Sequence, residues 1–154
     1  MNLAVQIDQT GGHPAWVCRQ VVTFVVANQV FATPIESVRE IRGWQKTTPV
    51  PNAEPNVTGV LNLRGAIIAI YDLRRSLGLP PNDRTSSSVT IVIDTGDKLV
   101  GILADSVSDI LDVSPDDLRD PPTSDPVNGP EVVGKFIVKG ETVISLLNIE
   151  AVVN

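Results

Sequence analysis

GVLNLRGAIIAIYDL, residues 59–73, decides the fold. Two apolar runs meet at Leu63-Arg64-Gly65-Ala66, and a glycine between such runs supplies the positive φ that a tight turn needs, so the stretch reads as a β-hairpin turning at 63–66. Ile67-Ile68-Ala69-Ile70 is apolar at every position. Strands this short and apolar on both sides suit small closed barrels, where curvature covers both faces. A single cation, Arg64, stands at the tip of this hairpin. A buried arginine needs a partner, and an exposed one in apolar surroundings marks a surface that meets something.

Composition agrees with a β-rich chain. Val and Ile account for 36 of 154 residues and Thr for 11, against two Trp, one Tyr and three Phe; β-branched side chains fit pleated, half-buried surfaces. The length suits one ordinary domain, or two small modules sharing a core. No apolar run approaches the ~18 residues of a membrane helix, and the start, MNLAVQIDQTGGHPAW, lacks the basic and apolar regions of a secretory signal. A net charge of −6 opposes nucleic acid or an anionic membrane as the main partner. One cysteine, Cys18, offers no internal disulfide, which fits a cytoplasmic protein.

An internal repeat runs through the chain. Val22-Thr23-Phe24-Val25-Val26 matches Val89-Thr90-Ile91-Val92-Ile93, and Ser37-Val38-Arg39-Glu40-Ile41 matches Ser106-Val107-Ser108-Asp109-Ile110. Gly59 and Gly65 align with Gly134 and Gly140, and Asp72-Leu73 with Asn148-Ile149. The order is kept, so two similar β modules are expected. They divide as a flexible tail 1–18, a first barrel over about 19–80 and a second over about 88–150, with the C-terminal segment packing back. PPNDRTSSS (80–88) is the polar connector between them.

Local signals place hairpins at 21–26/29–33, 89–94/98–104 and 135–139/142–147, turning at Asn28, Thr95-Gly96-Asp97 and Gly140. Thr33-Pro34-Ile35-Glu36 has the pattern of a capping box with proline at the first helical position, predicting a short helix to Ile41. Asp72 reads as the N-cap of a second short helix that Gly78 and Pro80 end. SPDDLRDPPTSDPVNGPE (114–131), with five prolines, reads as one turn of helix followed by a mobile loop.

Catalytic equipment is missing from the pattern. His13, the single histidine, lies in a Gly-Gly-His-Pro tail, and Cys18 has no second histidine to activate it. Cys/His clusters for a metal are absent. The carboxylates Asp116, Asp117 and Asp120, and Asp94 with Asp97, lack calcium-loop spacing. No Gly-rich phosphate loop occurs. Neither catalytic residue, metal nor cofactor is expected, so the chain is not an enzyme. A groove between two barrels is the natural binding site.

SVREIRG (37–43), NVTGVLNLRGAIIAIYDLRRSLG (56–78) and LVGILADSVSDIL (99–111) resemble the diagnostic segments of the CheW family of chemotaxis coupling proteins, from about residue 19 onward. The NLRG hairpin followed by a DLR helix start is the most specific of these; Ala69 stands where a proline is usual. The resemblance implies two SH3-like five-stranded β-barrels side by side and a non-enzymatic cytoplasmic scaffold recruited to membrane-associated receptor arrays. It implies as partners the regulatory domain of a CheA-like histidine kinase and the tip of a chemoreceptor's cytoplasmic hairpin, with ring self-association, and no nucleic acid or membrane insertion. An adaptor of the same fold in a pathway controlling pili, surface motility or a second messenger is the alternative.

Glu40 falls in the last turn of the expected helix, where the dipole disfavours a carboxylate unless a cation sits nearby. Arg39 and Arg42 are sequence neighbours that would not face it on a helix, which leaves Arg64. The expectation is a Glu40–Arg64 pair at the groove edge; a solvated turn arginine is the alternative. The resemblance adds Val38, Gly101, Val107 and Ile110 to Glu40 and Arg64 as the receptor-binding groove, and Gly101 in a strand suggests close approach of another backbone. Gly59 and Ile67, beside the hairpin turn, are expected to contact the kinase; a core role is the alternative for Ile67, Val38, Gly101, Val107 and Ile110, and a backbone-angle role alone for Gly59.

Overall fold

The computed structural model describes residues 19–52, 56–80, 88–120 and 132–153, together with the strand pair 6–7 and 14–15. His13, Cys18, the connector 81–87 and the proline-rich stretch 121–131 lie outside the described residues, and with them the expected mobile loop and most of the expected flexible tail. Within that tail, β1 (Gln6–Ile7) pairs antiparallel with β2 (Pro14–Ala15).

Eleven further strands form two sheets among the described residues. β3 (Arg19–Val26) and β4 (Gln29–Pro34) form the first hairpin, turning at Ala27 and Asn28, whose φ of 53° and 64° are both left-handed. β5 (Val38–Gly43) follows; β6 (Val57–Leu63) and β7 (Ala66–Asp72) are the opening hairpin. β8 (Val89–Asp94), β9 (Leu99–Ala104) and β10 (Ser106–Val113) precede β11 (Leu118–Arg119), β12 (Val133–Lys139) and β13 (Thr142–Leu147). The short helices α1 (Leu73–Ser76) and α2 (Ile149–Val153) each follow the last strand of a repeat. Asp72 caps α1 as expected, its Oδ1 accepting the Arg74 N–H at 3.0 Å.

The mainly β class and the two-barrel SH3-like arrangement are observed, but the barrels do not follow the split 19–80 and 88–150. One sheet runs β5-β8-β9-β7-β6 and takes all five strands from between Val38 and Ala104. The other runs β10-β3-β4-β13-β12-β11 and is assembled from 19–34 and 106–147, nearer the two ends. Each repeat gives its first hairpin to one barrel and its later strands to the other. The joints between repeats are the antiparallel ladders β3–β10 and β5–β8 and the parallel ladders β4–β13 and β7–β9. The repeat is real in three dimensions: β5 and β10 carry the same bulge, between Val38 and Glu40 in one and Val107 and Asp109 in the other.

Both barrels close by the same device. Beyond β5 the chain crosses to the far edge, where Thr48 forms an antiparallel bridge with Val60 of β6, with N···O distances of 3.0 and 2.9 Å. Beyond β10 a single 3₁₀ turn, Pro115–Asp117, leads into β11, which pairs with β12 at the other edge. β10 and β11 therefore act as one bent strand, and each barrel has five.

The helix expected over 34–41 is a 3₁₀ turn of three residues, Ile35–Ser37, and then a strand. Pro34 rather than Thr33 precedes the turn, no side chain caps it, and Glu36 instead pairs with Arg19 at 2.7 Å. The Val38–Gly43 segment gains a full ladder against β8, which a three-residue turn cannot match.

Among the described residues, three apolar cores are formed. Between the barrels lie Phe24, Val26 and Phe31 of one and Tyr71, Ile91, Ile93, Val100 and Ile102 of the other, joined by Val152 and Val153 of α2. The Phe24 and Phe31 rings stack at 6.0 Å. Val21, Ala32, Val113, Ile137, Ile144 and Leu146 fill the interior of the outer barrel, and Leu63, Ile68, Ile70, Val92 and Leu103 that of the inner one. This explains the runs apolar at every position: alternate residues of β8 face alternate cores. α2 packs into the inter-barrel core through Val152 and Val153.

Candidate functional site

The shared core lies between the two barrels, beneath the expected groove. A cleft with a volume near 550 Å³ opens at one end of the inner barrel and is lined by Arg39, Glu40, Leu63, Arg64, Asp94 and the 96–99 turn.

Arg64 and Glu40 form its centre. The Arg64 guanidinium donates from Nη1 to Glu40 Oε1 at 2.7 Å and from Nη2 to Oε2 at 3.3 Å, a two-pronged pair between the β6–β7 turn and β5. β5 and β6 are the two edges of the inner sheet, so the pair spans the closure of the barrel. The turn that presents Arg64 is tightly specified: Arg64 and Gly65 have φ of 51° and 90°, and Asn62 Oδ1 accepts the Gly65 N–H at 2.8 Å. At the corresponding place in the other barrel Gly140 takes the positive φ. A left-handed arginine costs on the order of 1 kcal/mol relative to glycine, and here it places a guanidinium that glycine could not supply.

The Arg64 hydrogen bond is the main reason the Glu40 carboxyl titrates below its ordinary value, with Arg42 adding a weaker pull. Arg42 Nη1 lies 3.4 Å from Glu40 Oε2. The helix argument that excluded Arg42 is corrected by the strand: residues two apart on a strand share a side. Arg39, the other excluded cation, binds Asp94 through Nε at 3.1 Å, and Asp94 also accepts the Gly96 N–H at 2.8 Å. These bonds, Arg39 first, hold the Asp94 carboxyl below its usual range. Neither Arg39 nor Asp94 was singled out from sequence as a site residue; the Asp-Thr-Gly turn signal was there, but the partner lies across a ladder.

The remaining expected site residues divide. Ile67 and Ile110 are exposed, at 65% and 52%. They have counterparts at matching repeat positions: Val143, the second residue of β13 as Ile67 is of β7, and Ile41. Val38 and Val107 are half-buried against the inter-barrel core. Gly101 is buried, and what approaches it is side chain, not backbone: a Cβ there would lie 2.5 Å from Ile70 Cδ1 and 2.9 Å from Thr90 Cγ2. Gly59 is buried too. It admits the closing segment, since a Cβ would sit 2.6 Å from the Thr48 carbonyl oxygen and 2.7 Å from Thr47 Oγ1.

Comparison with known proteins places this geometry in a family. The model of the CheW-like domain matches residues 20–154. The chain is 44% identical over 104 residues to the chemotaxis protein CheW of Rhizobium meliloti, covering 68% of this chain and 67% of the relative. It is 31% identical over 134 residues to the chemotaxis protein CheW of Klebsiella aerogenes, covering 87% and 81%. The crystal structure of scaffolding protein TtCheW from Thermoanaerobacter tengcongensis has a similar fold, with a TM-score of 0.77 at 20% identity over 86% of this chain and 90% of that one.

Proposed function

This chain belongs to the CheW-like domain family, and from that premise we propose that it is a non-enzymatic adaptor of a chemotaxis system, coupling chemoreceptors to a CheA-like histidine kinase. Membership over residues 20–154 carries the reading, and the cleft around Glu40 and Arg64 supplies a docking surface suited to it. Glu40, Arg64 and Ile110 face the cytoplasmic hairpin tip of the receptor; Ile67, exposed beside the same turn, faces the regulatory domain of the kinase. Val38, Val107 and Gly101 act from behind, through the cores that set strand positions.

A guanidinium held by a carboxylate keeps a fixed direction and still offers its face and remaining donors to an incoming helix. Each contact is modest on an exposed surface. Assembly beside receptors and kinase multiplies it through effective concentration. The adaptor works in the cytoplasm and is recruited to receptor arrays; no helix among the described residues is long and apolar enough to cross a membrane.

The test is co-sedimentation of the full chain with a receptor hairpin fragment and a kinase regulatory-domain fragment, singly and together. The adaptor reading expects both binary complexes and a ternary one. Binding to neither fragment at tens of micromolar would end it.

A further inference from the structure

The cleft does not stop at Glu40. The strand period places Arg42, and then Trp44 just past the end of β5, on the same side as Glu40. Glu40, Arg42, Gly43, Trp44 and Gln45 line a second open cleft of about 520 Å³, which shares Glu40 with the first. Trp44 is 41% exposed, yet its backbone is fixed. Its N–H donates to the Ser88 carbonyl at 3.0 Å, and four residues on, Thr48 is bridged to Val60. Trp and Arg are enriched among the residues that dominate binding at protein interfaces, and here an exposed indole on an anchored backbone stands beside an arginine.

Charge and spacing identify the occupant. Glu40 is already met by two Arg64 bonds, whereas Arg42 has one long contact of 3.4 Å to it. Its guanidinium therefore keeps donors for a carboxylate, a local excess of cation on a chain of net charge −6. Residues two apart on a strand are about 6.7 Å apart along its axis. Residues four apart on an α-helix are separated by about 6 Å. A helix laid along β5 keeps step with Arg42 and Trp44.

We propose that Arg42 and Trp44 extend the docking surface and set its specificity: they take an amphipathic helix of the receptor hairpin, with a carboxylate over Arg42 and an apolar side chain four residues away over Trp44. This assignment rests on the adaptor reading and adds to it the chemistry of the helix.

The experiment uses the full chain and its Trp44→Ala, Trp44→Phe and Arg42→Glu variants. Affinity is measured by calorimetry for the receptor hairpin fragment and, separately, for the kinase regulatory-domain fragment, alongside thermal unfolding. Trp44→Ala and Arg42→Glu are expected to weaken hairpin binding at least about tenfold, with Trp44→Phe within about threefold of the parent. Kinase binding and Tm stay as in the parent, and a hairpin with its facing carboxylate changed to lysine restores binding to Arg42→Glu. Parent-like hairpin binding by Trp44→Ala and Arg42→Glu would overturn the proposal while leaving the adaptor reading intact. Equal losses for both fragments, or a loss that tracks a fall in Tm, would also overturn it. If the unaltered chain binds neither fragment, both readings fall together.

Discussion

Arg64 reaches Glu40 at 2.7 Å from the opposite edge of the same sheet, while holding a left-handed φ of 51°. The residue thus combines a backbone geometry that favours glycine with a side chain that glycine lacks, and this sets up an opposition between stability and binding.

Arg64→Gly relieves the left-handed backbone, a gain on the order of 1 kcal/mol, partly offset by the greater freedom of glycine in the unfolded chain. Thermal stability is expected to stay level or rise slightly, while binding of the receptor hairpin falls severalfold. Paired calorimetry and unfolding of this variant would show the two moving apart; a parallel fall in both would mean the pair is there chiefly to close the barrel.

Several carboxylates titrate low: Glu40 through Arg64, Asp94 through Arg39, Asp117 through the Ser114 N–H and then Lys139, and Asp120 through Lys135. A folded-state value below the unfolded one contributes stability that is fully present above the unfolded pKa and lost as pH falls through the folded one. With unfolded values near 4, Tm is expected to be level from pH 8 to about 5 and to fall below about pH 4. A variant with Glu40→Gln and Asp117→Asn should lose less across that acid range, which differential scanning calorimetry would record.

Gly101→Asp places a carboxylate inside the inner barrel against Ile70 and Thr90, without a partner there. Loss of several kcal/mol is expected, so receptor and kinase binding fall together. Gly101→Ala should cost about 1–3 kcal/mol by overpacking, and Ile70→Val, which removes the Cδ1 atom at 2.5 Å, should restore part of it. Denaturant unfolding of the single and double variants tests the coupling; strict additivity would argue against the clash.

Gly59→Ala meets backbone at 2.6 Å, the Thr48 carbonyl, which cannot rotate away as a side chain can. The expected effect is a destabilisation of about 1–3 kcal/mol, with faster amide exchange at Thr48 and Val60, whose hydrogen bonds close the barrel. Unchanged protection at those two amides would show that the segment can shift aside.

The hairpins were legible because their turns carry their own chemistry: glycine at 65, 96 and 140, and asparagine at 28. Asp72 was legible for the same reason, as a local cap. The stretch 38–43 misleads because Thr33-Pro34-Ile35-Glu36 imitates a helix start, while what decides its state is a ladder with residues 89–93, some fifty positions away. The exchange of strands between repeats was hidden for a related reason. Similar halves predict similar modules, and only pairing across the chain shows which half completes which barrel. For the site, Glu40 and Arg64 were found from the need of a charge for a partner, although the helix invoked for Glu40 does not exist. Gly59 and Gly101 were recognised as special, but a glycine admitting a neighbour and a glycine facing a partner look alike in sequence.

The nesting of one barrel inside the connectivity of the other has a mechanical consequence. Residues 19–34 and 133–147 both belong to the outer barrel, so a machine that drags the chain by either end, an unfoldase feeding a protease for instance, loads that barrel, and from the C-terminal side first α2 in the shared core, before the other. The barrel drawn from 38–104, which carries Arg64, Glu40 and Trp44, is shielded from the pull until the outer one has given way. Under traction the cleft around Glu40 and Arg64 would outlast the outer barrel.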